Sequence, residues 1–200
     1  MAKQISTPNR TESRRAAILE AARQCFFQYG LERTRMDDIA RLARISRPAL
    51  YEHFDNKSAI FSALAHYLIE SFLTTAELEL RGSGSVWERI AAAFEAWSVK
   101  PLEMILAGPH ADEMILAGSG VAAEVYREGR DKFRQSLASI LQKALQAGEI
   151  NLKKVSLTPA AAADLMVAAA AGAKEDWTDV DRYRKRLAGL IRVFKTATSL

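Results

Sequence analysis

Apolar residues recur at helical spacing along most of the chain, and this periodicity constrains the fold more than any other feature. Ile18, Ala22 and Phe26 follow one another at four-residue intervals in residues 11–29, and Gly30 then supplies a helix stop. No segment of the sequence has the strict alternation of apolar and polar residues that a half-buried strand needs. We therefore predict an all-α fold of about nine helices. They cover approximately residues 11–29, 36–43, 46–54, 57–80, 86–99, 101–107, 119–147, 159–173 and 179–198.

Composition supports this prediction and narrows the class of protein. The 200 residues are 49% hydrophobic and 26% charged, which is typical of a globular chain with a sizeable core. The single cysteine, Cys25, excludes an internal disulfide framework and a cysteine-based zinc site, and it fits a reducing compartment. No apolar run has the length of a signal sequence or a membrane span, so we expect a cytoplasmic protein with no membrane partner.

The excess positive charge is concentrated near the N-terminus. Residues 1–57 contain 11 Lys and Arg against 7 Asp and Glu, whereas the remaining residues contain 17 of each. A nucleic-acid-binding segment joined to a neutral body would give this distribution. A solvated helix face with a basic tail would give it as well, so charge alone does not decide between the two.

Two short helices in this basic segment are joined by a turn of three to four residues, which is the helix-turn-helix arrangement. The second helix of such a pair fits the major groove of DNA and presents its first residues to the base edges. Ser46 is expected to cap this helix and to donate to a phosphate, while Arg47 suits the acceptor atoms of guanine. Pro48 and Ala49 are small and apolar, so they allow close approach and contact with a thymine methyl group.

Three residues further along are candidates for phosphate contacts beside the groove. Tyr51 and His53 lie one helical turn after Arg47, and Lys57 opens the next predicted helix, where free N–H groups also attract a phosphate. Tyr51 could instead be a core aromatic residue, and His53 could merely hydrogen-bond locally. Arg47 could likewise contact a phosphate instead of a base.

The residues of this region resemble the DNA-binding domain of the TetR (tetracycline repressor) family. The matching features lie in residues 14–64: the helix ILEAARQCFFQYG, the segment T-x-M-D-D-I-A, and I-S-x-x-x-L-Y-x-H-F-x-N-K. The remainder of the chain matches only in its helical layout, which in this family is a variable regulatory domain that binds small molecules and dimerises. The resemblance implies base contacts from Arg47, Pro48 and Ala49, and phosphate contacts from Ser46, Tyr51, His53 and Lys57.

Two positions depart from the family pattern. Arg44 stands in the turn where the family often has glycine, and a left-handed backbone there would cost an arginine on the order of 1 kcal/mol. Arg35 stands where the family often has Thr or Ser, so capping of the second helix could pass to Thr34. Both arginines are candidate phosphate contacts.

The resemblance and the breaks in the sequence suggest the domain organisation. We expect a flexible arm over residues 1–10, a helix-turn-helix domain over 11–56 and a helical regulatory domain over 57–200. The hexapeptide EMILAG occurs at 103–108 and again at 113–118. Ten residues is not a helical repeat, so we interpret the second copy as a local duplication or a coincidence.

The larger domain contains candidates for a small-molecule site. Large apolar groups with a few polar ones are what such a cavity needs, and His110 is the candidate polar anchor. These residues could equally be ordinary core. The candidates are Phe94, Trp97, Met104, His110 and Met114.

Catalytic, metal and cofactor sites are not predicted. The three histidines lack metal-ligand spacing, and the sequence has no nucleophile elbow, phosphate-binding loop or cysteine–histidine motif. We therefore expect no metal, no cofactor and no enzymatic activity.

The last two helices are the predicted dimer interface. Ala160–Ala173 presents small side chains that allow close packing, and an apolar stripe follows on the last helix at Leu187, Leu190, Ile191 and Phe194. Pairing with the same helices of a second chain would give a four-helix bundle and would place two reading helices about 34 Å apart. Burial of this stripe within the chain is the alternative.

These observations predict a homodimeric, sequence-specific DNA-binding transcriptional regulator. Since most TetR-type proteins are repressors, we expect a repressor that a small-molecule ligand of unknown identity releases from a palindromic operator in double-stranded DNA. The alternative is a helical protein that binds DNA without sequence specificity, or binds other proteins, without ligand control.

Overall fold

The structure, a computed structural model, describes residues 10–120, 122–175 and 178–199. The predicted flexible arm therefore lies outside the described residues except for Arg10, which is the first residue of a helix. Throughout the described ranges the regular elements are helical, and the predicted all-α fold is confirmed. The α-helices are α1 (Arg10–Tyr29), α2 (Met36–Leu42), α3 (Arg47–Tyr51), α4 (Lys57–Leu80), α5 (Val86–Phe94), α6 (Lys100–Leu106), α7 (Ala111–Gly120), α8 (Ala123–Gln146), α9 (Pro159–Gly172) and α10 (Val180–Thr198).

The segment between α6 and α8 differs from the sequence-based expectation. The sequence predicts no helix over residues 108–118 and a helix that begins at 119, whereas α7 occupies Ala111–Gly120 and α8 begins at Ala123. The second EMILAG copy forms most of α7. Its Glu113 carboxylate accepts a hydrogen bond of 2.5 Å from the backbone N–H of Glu32, in the loop after α1. Because these two residues are 81 positions apart in the sequence, no local sequence pattern indicates their contact.

A π-helical turn joins α5 to α6 over Glu95–Val99. The N–H of Lys100 donates to the carbonyl of Glu95, five residues earlier, where an α-helix would use the residue four earlier. Pro101 follows directly and has no N–H to donate, so it cannot complete a normal α-helical turn at this point. Such π turns are frequent at functional sites, and this one carries Trp97 and Ser98.

The described chain folds into two units, each with its own core. Among the described residues, one unit comprises those up to Tyr67 together with those of 108–123, and the other comprises Leu68–Ala107 with those from Glu124 onward. The predicted boundary between residues 56 and 57 thus falls inside the first unit. In that unit Phe26 and Phe61 meet edge-to-face, with 5.7 Å between ring centroids.

The core of the second unit is built around an aromatic group. Phe94 meets Phe133 edge-to-face at 5.2 Å. Trp97 stacks on Phe133, with 5.3 Å between ring centroids, and on Tyr126, with 5.9 Å. The rings of Trp97 and Tyr126 are only 12° from parallel. Aromatic contacts of this kind add about 0.5–1.5 kcal/mol beyond burial alone.

The apolar stripe assigned to the dimer interface lies mostly inside the chain. Leu187, Ile191 and Phe194 are buried in the core of the second unit, and Leu190 is partly buried against it. The sequence-based assignment of these side chains to a partner was therefore wrong for the three buried ones, because α10 turns this stripe toward α5 and α9. The large apolar residues that α9 and α10 expose are Leu165 and Val193, at 49% and 66% of their full accessible area.

Helix α4 is the one helix of the described ranges that has the length and composition of a membrane span, with a mean hydropathy of 1.2 over its apolar window. Its apolar residues have another use. Ile60 and Leu64 are buried in the first unit, and Leu73 and Leu80 are buried in the second. Of the apolar window, 28% is buried within the chain, so core packing accounts for part of its apolar content.

Candidate nucleic-acid interface and cavity

Helices α2 and α3 are joined by a tight turn whose geometry follows from its backbone hydrogen bonds. The N–H of Arg44 donates to Arg41 O at 3.2 Å, and the N–H of Ile45 donates to Ala40 O at 3.0 Å. These two bonds form the Schellman motif that ends many helices, and the motif needs a left-handed residue at the position of Arg44. Arg44 has φ +56°, which confirms the left-handed conformation expected of it. Its side chain is exposed to solvent.

The start of α3 also follows the sequence-based expectation. Ser46 precedes the helix, and its Oγ accepts a hydrogen bond of 3.3 Å from the N–H of Ala49. Pro48 lies in the first turn, where its missing N–H has no helical partner to lose. Leu50 is fully buried, and this orientation leaves Arg47 and Pro48 on the exposed face of α3.

Arg47 is held on this face by two neighbours. Its Nη1 lies 3.1 Å from Asp37 Oδ2 on α2, and its guanidinium carbon lies 5.7 Å from the centre of the Tyr51 ring. Tyr51 itself is 41% exposed, so it is not a core aromatic residue. Asp37 was not predicted to take part, although its position ten residues before Arg47 becomes close once α2 and α3 fold back on each other.

Thr34 does not cap α2, contrary to the expectation that it could do so in place of the residue at position 35. The Thr34 side chain is buried and donates to Gly30 O at 2.6 Å, with Cys25 O a second acceptor at 3.2 Å. Its hydroxyl therefore holds the loop after α1. At the start of α2, the N–H of Arg35 donates to Asp38 Oδ2 at 3.1 Å, and the Arg35 side chain remains exposed.

Lys57 and His53 occupy the junction between α3 and α4. Lys57 Nζ donates to Glu32 O at 2.9 Å and to Thr34 O at 3.0 Å, so its ammonium group ties α4 to the loop after α1. His53 is half-buried, and its backbone N–H donates to Leu50 O at 3.0 Å. The N–H groups at the start of α4 are partly used by Asn56, whose Oδ1 accepts from Ala59 at 2.9 Å. The predicted phosphate contacts of Lys57 and His53 stay predictions.

A cavity of about 10 Å³ lies within the second unit. This volume holds about one water molecule. Phe94 and Trp97 line it, as the sequence analysis predicted, whereas Met104, His110 and Met114 are not among its lining residues. Met114 is buried in the first unit instead. The full lining is Phe94, Trp97, Ser98, Tyr126, Arg130, Val167, Ala170, Ala171, Lys174 and Tyr183.

The polar residues of the lining were missed by the sequence analysis, although their spacing carries a signal. Lys174 is seven residues after Val167 and four after Ala170, so it ends the apolar face of α9 with a charge. Arg130 follows Tyr126 by four residues within α8, so both lie on the same side of that helix. A cation directly after the apolar face of a helix, as at Lys174, is a pattern that could have indicated this site.

Two of these polar groups are in unusual surroundings. Burial lowers the pKa of Lys174 to about 8, and its Nζ lies 5.4 Å from the centre of the Tyr183 ring. The Tyr183 hydroxyl is buried without a hydrogen bond of good geometry to any described residue. Burial raises the pKa of Tyr183 to about 12, a rise that the Ser98 side chain partly offsets.

Gly129 on α8 fixes the position of Trp97 beside the cavity. A Cβ atom at this position would lie 2.6 Å from Ile69 Cγ2 and 2.9 Å from Trp97 Cη2, both closer than such atoms approach in proteins. Only glycine lets α8 and the indole ring come this close.

The first unit thus has the geometry of a helix-turn-helix DNA-binding protein: a short second helix, capped by serine, with an exposed basic and aromatic face. The profile of the tetR family of bacterial regulatory proteins matches residues 18–64. The regulator TtgR of Pseudomonas putida is 42% identical over 65 residues, which cover 32% of this chain and 31% of that protein. The N-terminal domain of this chain belongs to the TetR family, and the aligned segment spans about a third of the curated relative that it matches.

Solved structures resemble the chain over most of its length. A protein from Rhodococcus sp. assigned to the TetR family of transcriptional regulators has a TM-score of 0.65 and 25% identity, and the match covers 91% of this chain and 98% of that one. SmeT, the repressor of a multidrug efflux pump in Stenotrophomonas maltophilia, has a TM-score of 0.65 in its complex with triclosan, with 18% identity and 94% and 92% coverage. At that identity SmeT supports the fold alone.

Proposed function

We propose that this protein is a sequence-specific transcriptional regulator and acts as a repressor that a small molecule releases from DNA. The observation that carries this proposal is the exposed face of α3, which presents Arg47, Pro48 and Tyr51 beside a left-handed Arg44. A helix of this kind can enter the major groove, with Arg47 reading a base edge and Tyr51 contacting the backbone. The protein would act in the cytoplasm, where the DNA is, and would have no catalytic role.

The regulator would work as a homodimer. One helix-turn-helix makes few base contacts, whereas two related by a two-fold axis read a palindrome. The surface available for a partner is the outer face of α9 and α10, which carries Leu165 and Val193 and is open beside Gly189. We propose that this face, rather than the buried stripe on α10, forms the four-helix bundle with a second chain.

The small size of the cavity couples ligand binding to a conformational change. At about 10 Å³ it admits no ligand larger than water, so a ligand binds only after lining side chains have moved. A ligand that binds the open arrangement better than the closed one shifts the equilibrium toward the open state. Helix α4 contributes residues to both units, and we propose that it moves between the two states and changes the separation of the α3 helices in the dimer.

The base-reading role of Arg47 gives the test of specific binding. The unmodified protein should bind a palindromic site selected from genomic DNA about a thousandfold or more tighter than random DNA of the same length. Arg47→Ala should largely remove this ratio, whereas the matched variant Tyr51→Phe, which loses only a hydroxyl group, should weaken binding to both DNAs alike. Equal losses on both DNAs from Arg47→Ala would identify a nonspecific binder.

The dimer has its own test. Gly189→Arg places a long charged side chain on the outer face of α10, and we expect monomers in sedimentation velocity experiments together with loss of palindrome binding. Gly120→Arg is the matched control because Gly120 on α7 is equally open. An unchanged dimer in the first variant would exclude this face as the interface.

A further inference from the structure

The chemistry of the cavity lining narrows the class of its ligand. Among its ten residues are two cations, Arg130 and Lys174, and no carboxylate. From these charges, the aromatic walls and a buried hydroxyl group with no hydrogen bond of good geometry to a described residue, we propose that the effector is a planar aromatic carboxylate whose carboxylate group is bound by Lys174 and Tyr183. This inference rests on the proposed function, since it names the ligand class of the same regulatory site.

Lys174 has no counter-ion in the described parts of the chain. Its ammonium group faces the ring of Tyr183 at 5.4 Å, which is a cation–π distance. The carboxylate that acts electrostatically on Tyr183 is Glu95, and Arg184 binds it through Nη2 at 2.9 Å. Glu95 is thereby neutralised by a different cation. The positive charge beside the cavity is left for an anion from outside.

This arrangement is unfavourable without a ligand. A half-buried ammonium group loses hydration, and the lowered pKa of Lys174 reflects that loss. A methionine or leucine would fill the end of the α9 stripe at less cost in stability. Strained or uncompensated charges of this kind tend to occur where they bind something.

The Tyr183 hydroxyl completes the anion site. Only 1% of the residue is exposed, and its Oη has no well-formed hydrogen bond to a described residue. With a pKa of about 12 the group keeps its proton at neutral pH, so it is available as a donor. The ammonium group of Lys174 and the neutral phenol of Tyr183 belong to residues that both line the cavity, so together they offer a charge-assisted pair of donors for one carboxylate.

The shape of the ligand follows from the stack on Trp97. Tyr126 covers one face of the indole ring, with the two rings 5.9 Å apart and nearly parallel, yet Tyr126 is 42% exposed. Burial raises the pKa of the Tyr126 hydroxyl, so the ring is partly enclosed at rest, and our proposal is that it swings outward when a ligand binds. Its departure would enlarge the cavity and uncover the indole face, which a planar aromatic ring of the ligand would then cover. A ligand ring in this position restores the stacking that Tyr126 gives up.

Matched pairs of ligands test the charge requirement. We would compare benzoate with benzamide, and 2-naphthoate with 2-naphthamide, by isothermal titration calorimetry and by the shift in Tm of the unmodified full-length protein. The members of each pair share the ring and differ in charge. At least one carboxylate should bind tenfold or more tightly than its amide. Equal affinities, a preference for the amides, or no binding by any of the four compounds up to their solubility limits would overturn the proposal.

Two variants locate the anion site. Lys174→Met should reduce the preference for carboxylate over amide to twofold or less and should raise the Tm of the unliganded protein. Lys143→Met, at an exposed lysine on α8, is the control for loss of charge and should leave the preference intact. Tyr183→Phe keeps the ring and should weaken carboxylate binding several-fold while leaving amide binding nearly unchanged. A full carboxylate preference in Lys174→Met would contradict the assignment.

These binding measurements contain no DNA, so they separate the two proposals. A protein that binds carboxylates through Lys174 but reads no palindrome would refute the proposed regulatory function and leave the ligand class standing. A protein that binds a palindrome but shows no carboxylate preference would refute the proposed ligand class and leave the regulatory function standing.

Discussion

Replacement of Gly129 by alanine tests the packing of Trp97 against α8, on which the cavity depends. Alanine is favoured over glycine in a helix interior by about 1 kcal/mol. The added methyl group would, however, lie 2.6 Å from Ile69 and 2.9 Å from Trp97, and both neighbours are held in the core of the second unit. Overpacking of this kind costs about 1–3 kcal/mol. We therefore expect Gly129→Ala to lower the free energy of unfolding by roughly 0–2 kcal/mol.

The matched control is Gly189→Ala on α10, where nothing lies within 4 Å of the added methyl group. Within one chain only the helix-propensity gain remains, so stability should rise by about 1 kcal/mol. Because Gly189 also lies on the proposed dimer face, Gly120→Ala on α7, which is equally open, is measured beside it. The two variants should differ by about 1–3 kcal/mol, or roughly 2–12 °C in Tm for a chain of this size. Urea unfolding at one fixed protein concentration measures the difference. If Gly129→Ala were stabilised as much as Gly189→Ala, the close approach of Trp97 to α8 would be refuted.

The remaining predictions concern one charge in each unit. Asp37→Asn removes the solvent-exposed ion pair that Arg47 makes at 3.1 Å, so affinity for a selected palindrome should rise by up to about fivefold in fluorescence anisotropy. Weaker binding would mean that Asp37 positions Arg47 for the base. The second prediction concerns the pH dependence of stability. The pKa of Lys174 is about 8 in the folded protein and ordinarily 10.5. The charged Lys174 side chain therefore destabilises the folded state fully below pH 8, and this destabilisation disappears as the pH rises toward 10.5. Over this pH window the free energy of unfolding of the unmodified protein, relative to that of Lys174→Met, should therefore rise by on the order of 2 kcal/mol. Tyr183 stays neutral in the folded protein over the same window. A difference that does not change with pH would contradict the lowered pKa of Lys174.

The parts of the fold that local chemistry determines could be predicted from the sequence. The serine cap of α3, the left-handed Arg44 and the all-α architecture each depend on residues within a few positions of one another. Helix α7 was missed because its tie to the loop after α1, through Glu113, joins residues far apart in sequence.

The candidate sites were predictable to different degrees. On α3, a family pattern and helical spacing together identified the exposed face. The cavity is built from α5, the π turn, α8, α9 and α10, and only Phe94 and Trp97 were found because they are large and close in sequence. The stripe on α10 shows the same limit: periodicity indicates that Leu187, Ile191 and Phe194 face one way, but it does not say whether that side meets the same chain or a partner.

The most direct test of the central claim is a selection of fragmented genomic DNA from the source organism on the purified protein at about physiological salt, followed by sequencing of the retained fragments. Our account predicts a small number of enriched sites, each a palindrome whose half-site centres lie about one helical turn, or a multiple of it, apart. Uniform recovery of the genome by protein freed of bound small molecules would contradict it.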